Sequence, residues 1–299
     1  MTAPAATSAA AASRAPGRDA AAAQRGPTFP RVAASEWTKV LSLRSTWWIA
    51  IVTVVVSWVV TYLSANASSG DPGFDPSASL PDGLALSQIG TLVLGVLVGT
   101  GEFRTGAFRT TFTAVPRRLS VLAARTLVVA VVGALVAALA LVAAVLGVLP
   151  AARSRDIPLD LTADWTPQML LGSGLMLLGM TVLGLAIGLL LRRTVAALTV
   201  ALALVFVVPV ALSLATELVA GPPTGPAPVE TDVVELDPVS TAVALLPGDA
   251  AFRMTTDPEA GGVDGAPDLG PVGGGLVFGA WILLPLVAAG VRLRTRDLT

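Results

Sequence analysis

The 299 residues are 54% hydrophobic and only 13% charged, with a mean hydropathy of +0.77. A soluble domain carries about a quarter charged residues, so this composition excludes an ordinary soluble enzyme and belongs to a membrane protein. Cysteine and histidine are both absent, which excludes disulfides, thiol catalysis and the common zinc sites, and removes the usual proton shuttle.

Residues 1–31 are rich in alanine, with Pro16, Pro27 and Pro30, and lack the continuous apolar core of a signal peptide. They read as a disordered cytoplasmic tail, and 32–299 as one membrane domain. A bilayer core of ~30 Å needs about 20 helical residues. Six stretches meet that length: Thr46–Leu63, Leu84–Thr100, Leu122–Leu149, Gln168–Leu191, Val195–Leu218 and Gly274–Val291. The predicted fold class is therefore an all-α integral membrane protein with six transmembrane helices.

Charge alternates with these stretches. Sixteen of the 19 Lys and Arg fall on one side, in four groups: before the first span, between the second and third, between the fourth and fifth, and after the sixth. Only Arg153, Arg155 and Arg253 fall on the other, together with all the acids except Asp19, Glu36, Glu102 and Asp297. Lys/Arg bias in short loops sets orientation, so both termini are expected in the cytoplasm of a multi-pass plasma-membrane protein. The net charge of −1 averages these two sides. Basic residues scattered at span ends do not form a nucleic-acid patch.

Before the first span, SEWTKVLSLRST (35–46) places Trp37, Val40, Leu41 and Trp48 on one helical face and Ser35, Glu36, Lys39 and Ser42 on the other. That pattern suits an interfacial helix in the headgroup plane, although Leu43 and Arg44 stand on the wrong faces. The third stretch is too long for one crossing, so 122–126 is expected at the interface with Arg125 snorkelling to headgroups. Trp47, Trp48, Trp165 and Trp281 are expected near span ends. Gly95 and Gly99, and Gly172, Gly184 and Gly188, have helix-packing spacing. They read as general packing rather than a dedicated dimer seam. Pro209 falls in the middle of the fifth span, where it kinks the helix or frees a carbonyl for a neighbour; it is the candidate hinge.

Between the second and third spans, GEFRTGAFRTTFTAVPRR (101–118) aligns Phe108, Phe112 and Val115 at helical spacing with Arg104 above them. Glu102 suits the amino end of a short helix and Pro116 the first turn of the next. The aromatic edge fits either immersion in lipid or docking on a cytoplasmic partner. No acid or base lies near the centre of any span. A mid-membrane charge usually marks an ion or proton path, so the energy for any transport is expected to enter at the cytoplasmic face.

This ordering resembles the membrane subunit of a type-2 ATP-binding-cassette (ABC) transporter. The matching features are SEWTKVLSLRST, GEFRTGAFRTTFTAVPRR, LLPGDA at 245–250 and RTRD at 294–297, and the resemblance covers residues 32–299. It implies a coupling helix between spans 2 and 3 that receives the motion of an ATPase, with Glu102, Arg104, Thr105, Gly106, Phe108, Arg109, Thr111 and Phe112 as the coupling residues. It also implies that Glu36, Trp37, Lys39 and Arg44 of the interfacial helix lie near that ATPase. In the loop 219–273, long and Pro/Gly-rich for the class, it suggests a short re-entrant or interfacial helix within 238–252.

No GxxxxGK[ST] loop occurs, the sole lysine is Lys39, and neither a serine elbow nor an HExxH pair appears. The expectation is a non-enzymatic exporter permease that binds no cofactor itself. ATP and Mg would sit in a separate cytoplasmic ABC ATPase, and the permease would form a homodimer or pair with a related permease. Spans carrying only hydroxyls and an amide (Thr53, Ser57, Gln88, Thr91, Ser173, Thr181, Thr199 and Ser213) suit a hydrophobic or amphipathic cargo such as a drug, antibiotic or lipid. The alternatives are an ion-gradient-driven secondary transporter and a non-transporting assembly or immunity protein.

Overall fold

The computed structural model describes residues 28–105, 118–220, 236–257 and 265–295. All regular structure among them is helical. In chain order the helices are α1 (Phe29–Ser42), α2 (Arg44–Ser68), α3 (Leu80–Thr105), α4 (Arg118–Ser154) and α5 (Thr166–Leu191), then α6 (Thr194–Leu202), α7 (Val208–Ala220), α8 (Pro238–Ala244), α9 (Pro247–Arg253) and α10 (Gly270–Thr295). Six helical units are long and apolar enough to cross a membrane: α2, α3, α4, α5, α6–α7 together, and α10. The chain is thus an all-α, multi-pass membrane protein with six spans, each within a few residues of its sequence position at most ends.

Spans 2, 3 and 4 form the centre and spans 1, 5 and 6 the periphery. Of the most apolar stretch of each, 72% is buried in α5 but only 17% in α6–α7. The central contact is a parallel pair, α3 against α5, made possible by glycine. A methyl group on Gly95 would meet the Thr181 carbonyl and lie 2.8 Å from the Leu185 nitrogen, and one on Gly99 would lie 2.7 Å from the Leu185 carbonyl oxygen. Gly184 and Gly188 reciprocate against Leu92 and Val96. Backbone therefore touches backbone, the close approach that small residues permit where hydrophobicity cannot drive association. These glycines serve packing within the chain. Around them Leu92, Val96, Leu177, Met180 and Leu183 close the core.

Serine and threonine hydroxyls are absorbed by the same packing. Ser57 donates across to the Ala140 carbonyl at 2.8 Å, while Thr53, Thr100 and Thr181 donate to the carbonyl one turn back on their own helices. Thr53, Ser57, Thr91, Ser173 and Thr181 are buried inside the bundle, whereas Thr199 and Ser213 are exposed on the fifth span. Of the first five, Thr53 also borders an apolar groove between α2 and α3, beside Trp48, Val52 and Leu86.

Helix α4 continues unbroken for 37 residues, about 55 Å at 1.5 Å per residue. It outruns a ~30 Å bilayer core, and its surplus length carries α1. Trp281 does not mark a span end: α10 begins at Gly270, so Trp281 stands well inside it and donates its indole N–H to the Leu245 carbonyl at 2.8 Å.

Pro209 acts through local geometry. Having no N–H, it leaves the Val205 carbonyl without its usual donor, and the chain widens into a π-helical turn over Ala203–Val207, with the Val208 N–H donating to the Ala203 carbonyl. Such insertions accommodate helix-breaking residues. Gly248, from LLPGDA, packs against this same turn: a methyl group there would lie 2.5 Å from the Val205 oxygen. Gly248→Ala is therefore expected to displace α9 and cost about 1–3 kcal/mol, measured as a lowered unfolding midpoint in micelles.

Candidate functional site: the arginine-rich end of the bundle

The side chains that join most elements lie at the end of the bundle that gathers the arginines. Helix α1 opens with Pro30 in its first turn and buries Val32, Glu36 and Val40, spaced four apart and so on one face. Val32 shares a small apolar cluster with Val121 and Ala124 of α4, and Val40 shares a larger one with Leu94, Val98, Val128 and Val129. Glu36, between the two valines, meets Arg125, between the two parts of α4. The face expected to be polar is therefore the buried one at this position. The apolar pattern of the helix is set by its valines, and Glu36 enters with them because a cation waits opposite.

The geometry of that meeting is specific. Glu36 is 1% exposed and Arg125 7%. One carboxylate oxygen takes the Lys39 ammonium at 2.5 Å, and the other faces Arg125 Nε at 3.8 Å. Arg125 Nη2 donates to the Val98 carbonyl at 3.0 Å. Arg125 thus turns inward and does not snorkel to headgroups. A single carboxylate, through one guanidinium, ties α1 to α3 and α4. Buried charges require such pairing, because desolvation costs several kcal/mol per ion.

Three further contacts bind the neighbouring helix ends. Arg192 adopts the left-handed conformation that ends α5 (φ 60°), its N–H donating to the Gly188 carbonyl, and its guanidinium stands over the Phe103 ring at 5.2 Å. Such a contact contributes about 0.5–2 kcal/mol. Thr194, in the first turn of α6, donates to the Thr100 hydroxyl at 3.0 Å. Arg292 of α10 donates to the Leu190 carbonyl, meeting one of the carbonyls that a helix end leaves free. The Trp47 indole donates to the Leu41 carbonyl at 2.9 Å across the break at Leu43 between α1 and α2.

Of the residues predicted for this region, Glu36 and Lys39 are brought together, Trp37 is half-buried in the Val40 cluster and Arg44 is exposed at the start of α2. Glu102, Arg104 and Thr105 fall on the last turn of α3, which runs past the span end at Gly101, so that stretch continues the same helix. Gly106, Phe108, Arg109, Thr111 and Phe112 lie outside the described residues. Arg125, Arg192, Phe103 and Arg292 were not anticipated as joints. Arg125 carried a legible signal: four residues after Val121 and three before Val128, it sits on the face of α4 that its neighbours bury. Among the described residues no group of His, Cys, Asp or Glu is arranged to hold a metal ion.

No protein-family model matches this chain. No curated protein matches it in sequence either.

Proposed function

We propose that the chain is the permease subunit of a type-2 ABC exporter, with both termini in the cytoplasm of a plasma-membrane protein. The observation that carries the reading is the joint at the arginine-rich end. A helix outside the spans, α1, is bolted by Glu36 and Arg125 to the ends of α3 and α4, the two helices that flank residues 106–117. A push on that segment or on α1 reaches the central pair α3–α5 directly. Such a linkage suits a protein moved from its cytoplasmic side by a separate ATPase, and it accords with the resemblance carried by SEWTKVLSLRST and GEFRTGAFRTTFTAVPRR.

In this reading ATP-driven closure of two ATPase chains acts on the segment around Thr105–Phe112. Spans 2 and 3 tilt, and a path opens outward between two permease protomers, either identical or related. The broad apolar faces left exposed on α2, α6–α7 and α10 supply both the lipid contact and the protomer contact. Thr199 and Ser213, exposed on the fifth span, give the path its few polar groups, which favours a hydrophobic or amphipathic cargo. Replacing Glu102 and Phe108 together tests the coupling assignment: co-purification of the ATPase and its substrate-stimulated hydrolysis should fall while insertion into the membrane is unchanged. Unchanged co-purification and hydrolysis would refute it.

A further inference from the structure

The spans carry no central charge, yet α9 places two charged side chains, Asp249 and Arg253, beside them on the acidic side. Gly248 packs on Val205, which lies 11 residues into the fifth span from its arginine-rich end, or about 16 Å at 1.5 Å per residue. Leu245, at the junction of α8 and α9, accepts the Trp281 indole from the interior of α10. On the way out, Gly274 of α10 packs against the Ala250 carbonyl and the Arg253 stem, and Gly172 of α5 against the Met254 carbonyl. The α8–α9 pair is therefore a re-entrant hairpin. Its tip reaches the middle of the span bundle, and α9 climbs from there toward the acidic side.

Asp249 follows the tip, and Arg253 lies one turn further out on the same face of α9. With Ser213, Ser240, Val243 and Ala244 they line a cavity of about 70 Å³ between α7, α8 and α9. One water needs roughly 10–15 Å³ measured in this way and two to four polar partners. The cavity offers a carboxylate, a guanidinium and two hydroxyls, with room for several waters. Arg253 Nε is buried and has no hydrogen-bond partner among the described residues. The Arg253 stem meets Gly274, the fifth residue of α10, so the guanidinium lies about one turn inside the acidic end of that span, where a buried, unbonded nitrogen is met by water.

We propose that this cavity is a hydrated polar site, entered from the acidic side at exposed Ser213 and reaching inward to Asp249, with the α8–α9 hairpin as its floor. Water penetrates here to about the middle of the fifth span while the arginine-rich half stays closed. The inference rests on the hairpin geometry and does not depend on the identity of any ATPase or cargo.

The absence of cysteine makes the test clean, since each introduced thiol is unique. Ala244→Cys and Ser240→Cys place a thiol in the cavity. Ala251→Cys places one on the same hairpin but in the apolar core, where Ala251 is fully buried. Each full-length variant is reconstituted in lipid vesicles and treated with a membrane-impermeant methanethiosulfonate reagent on one side at a time. Thiols modify as thiolates and so report water, and both cavity variants should react from the acidic side at least about tenfold faster than Ala251→Cys. Reaction of the cavity variants no faster than Ala251→Cys, or equally fast from both sides, would overturn the proposal. The two cavity variants are read separately, so failure of one to insert leaves the other as the test.

Discussion

Replacing Glu36 with alanine is expected to destabilise the protein by about 3–5 kcal/mol, because it strands Arg125 as a buried, uncompensated charge. Arg125→Ala should cost a similar amount, since it leaves the Glu36 carboxylate inside the bundle and also removes the donor to the Val98 carbonyl. Lys39 cannot substitute for Arg125: its side chain is 40% exposed and binds the other carboxylate oxygen. The joint Glu36→Met/Arg125→Met change should be milder than either single alanine, because two apolar side chains of similar volume replace the pair without leaving a charge behind. Denaturant titration of the four proteins in mixed micelles reads this directly. If the double variant loses as much as either single alanine, an unpaired buried charge is not what the singles cost, and α1 is held by its valines alone.

The second large effect concerns the α3–α5 contact. Gly95→Ala introduces a methyl group against the Thr181 carbonyl and 2.8 Å from the Leu185 nitrogen. Both obstacles are backbone, so no rotamer change relieves them and the helices must separate. Overpacking costs about 1–3 kcal/mol where side chains can adjust, and Gly95→Ala should reach or exceed the top of that range. Gly184→Ala should behave alike, pressing on Leu92 and Val96. Gly279→Ala is the matched control: nothing lies within 4 Å of its added methyl, and its unfolding midpoint should not fall. Since alanine favours a helix over glycine by up to about 1 kcal/mol, equal loss at all three positions, Gly279 included, would contradict the backbone contact as the cause.

The six spans were legible in the sequence because length and hydropathy alone decide which segments can cross a bilayer. What was not legible depended on partners distant in the chain. Glu36 looked like part of a polar face because helical periodicity counts a carboxylate as polar, and only the approach of Arg125, 89 positions later, makes burial tolerable. Arg125 itself looked like a residue near a span end that could reach headgroups, until α4 proved long enough to carry it inside the α1 contact. The glycine spacing was visible, but its partner was not: small residues promise a close approach without saying to which helix. Pro209 was placed correctly in mid-span, while its consequence, a π turn received by Gly248, needed both LLPGDA and the fifth span in one frame. LLPGDA, weak as a pattern, turns out to mark the tip of a hairpin whose depth no local signal records.

The bundle is closely packed at its glycine-lined centre, and we propose that it is handled from its arginine-rich end. The central claim is that a separate ATPase does the handling. Affinity purification of the tagged full-length chain from its own cell membranes, with mass spectrometry of the eluate and an ATP hydrolysis assay, tests it most directly. The proposal predicts a stoichiometric ABC ATPase carrying the GxxxxGK[ST] loop that this chain lacks, with hydrolysis in the eluate that falls when Glu102 and Phe108 are replaced. Recovery of the intact membrane protein without any such ATPase, from cells that express its neighbouring genes, would contradict it.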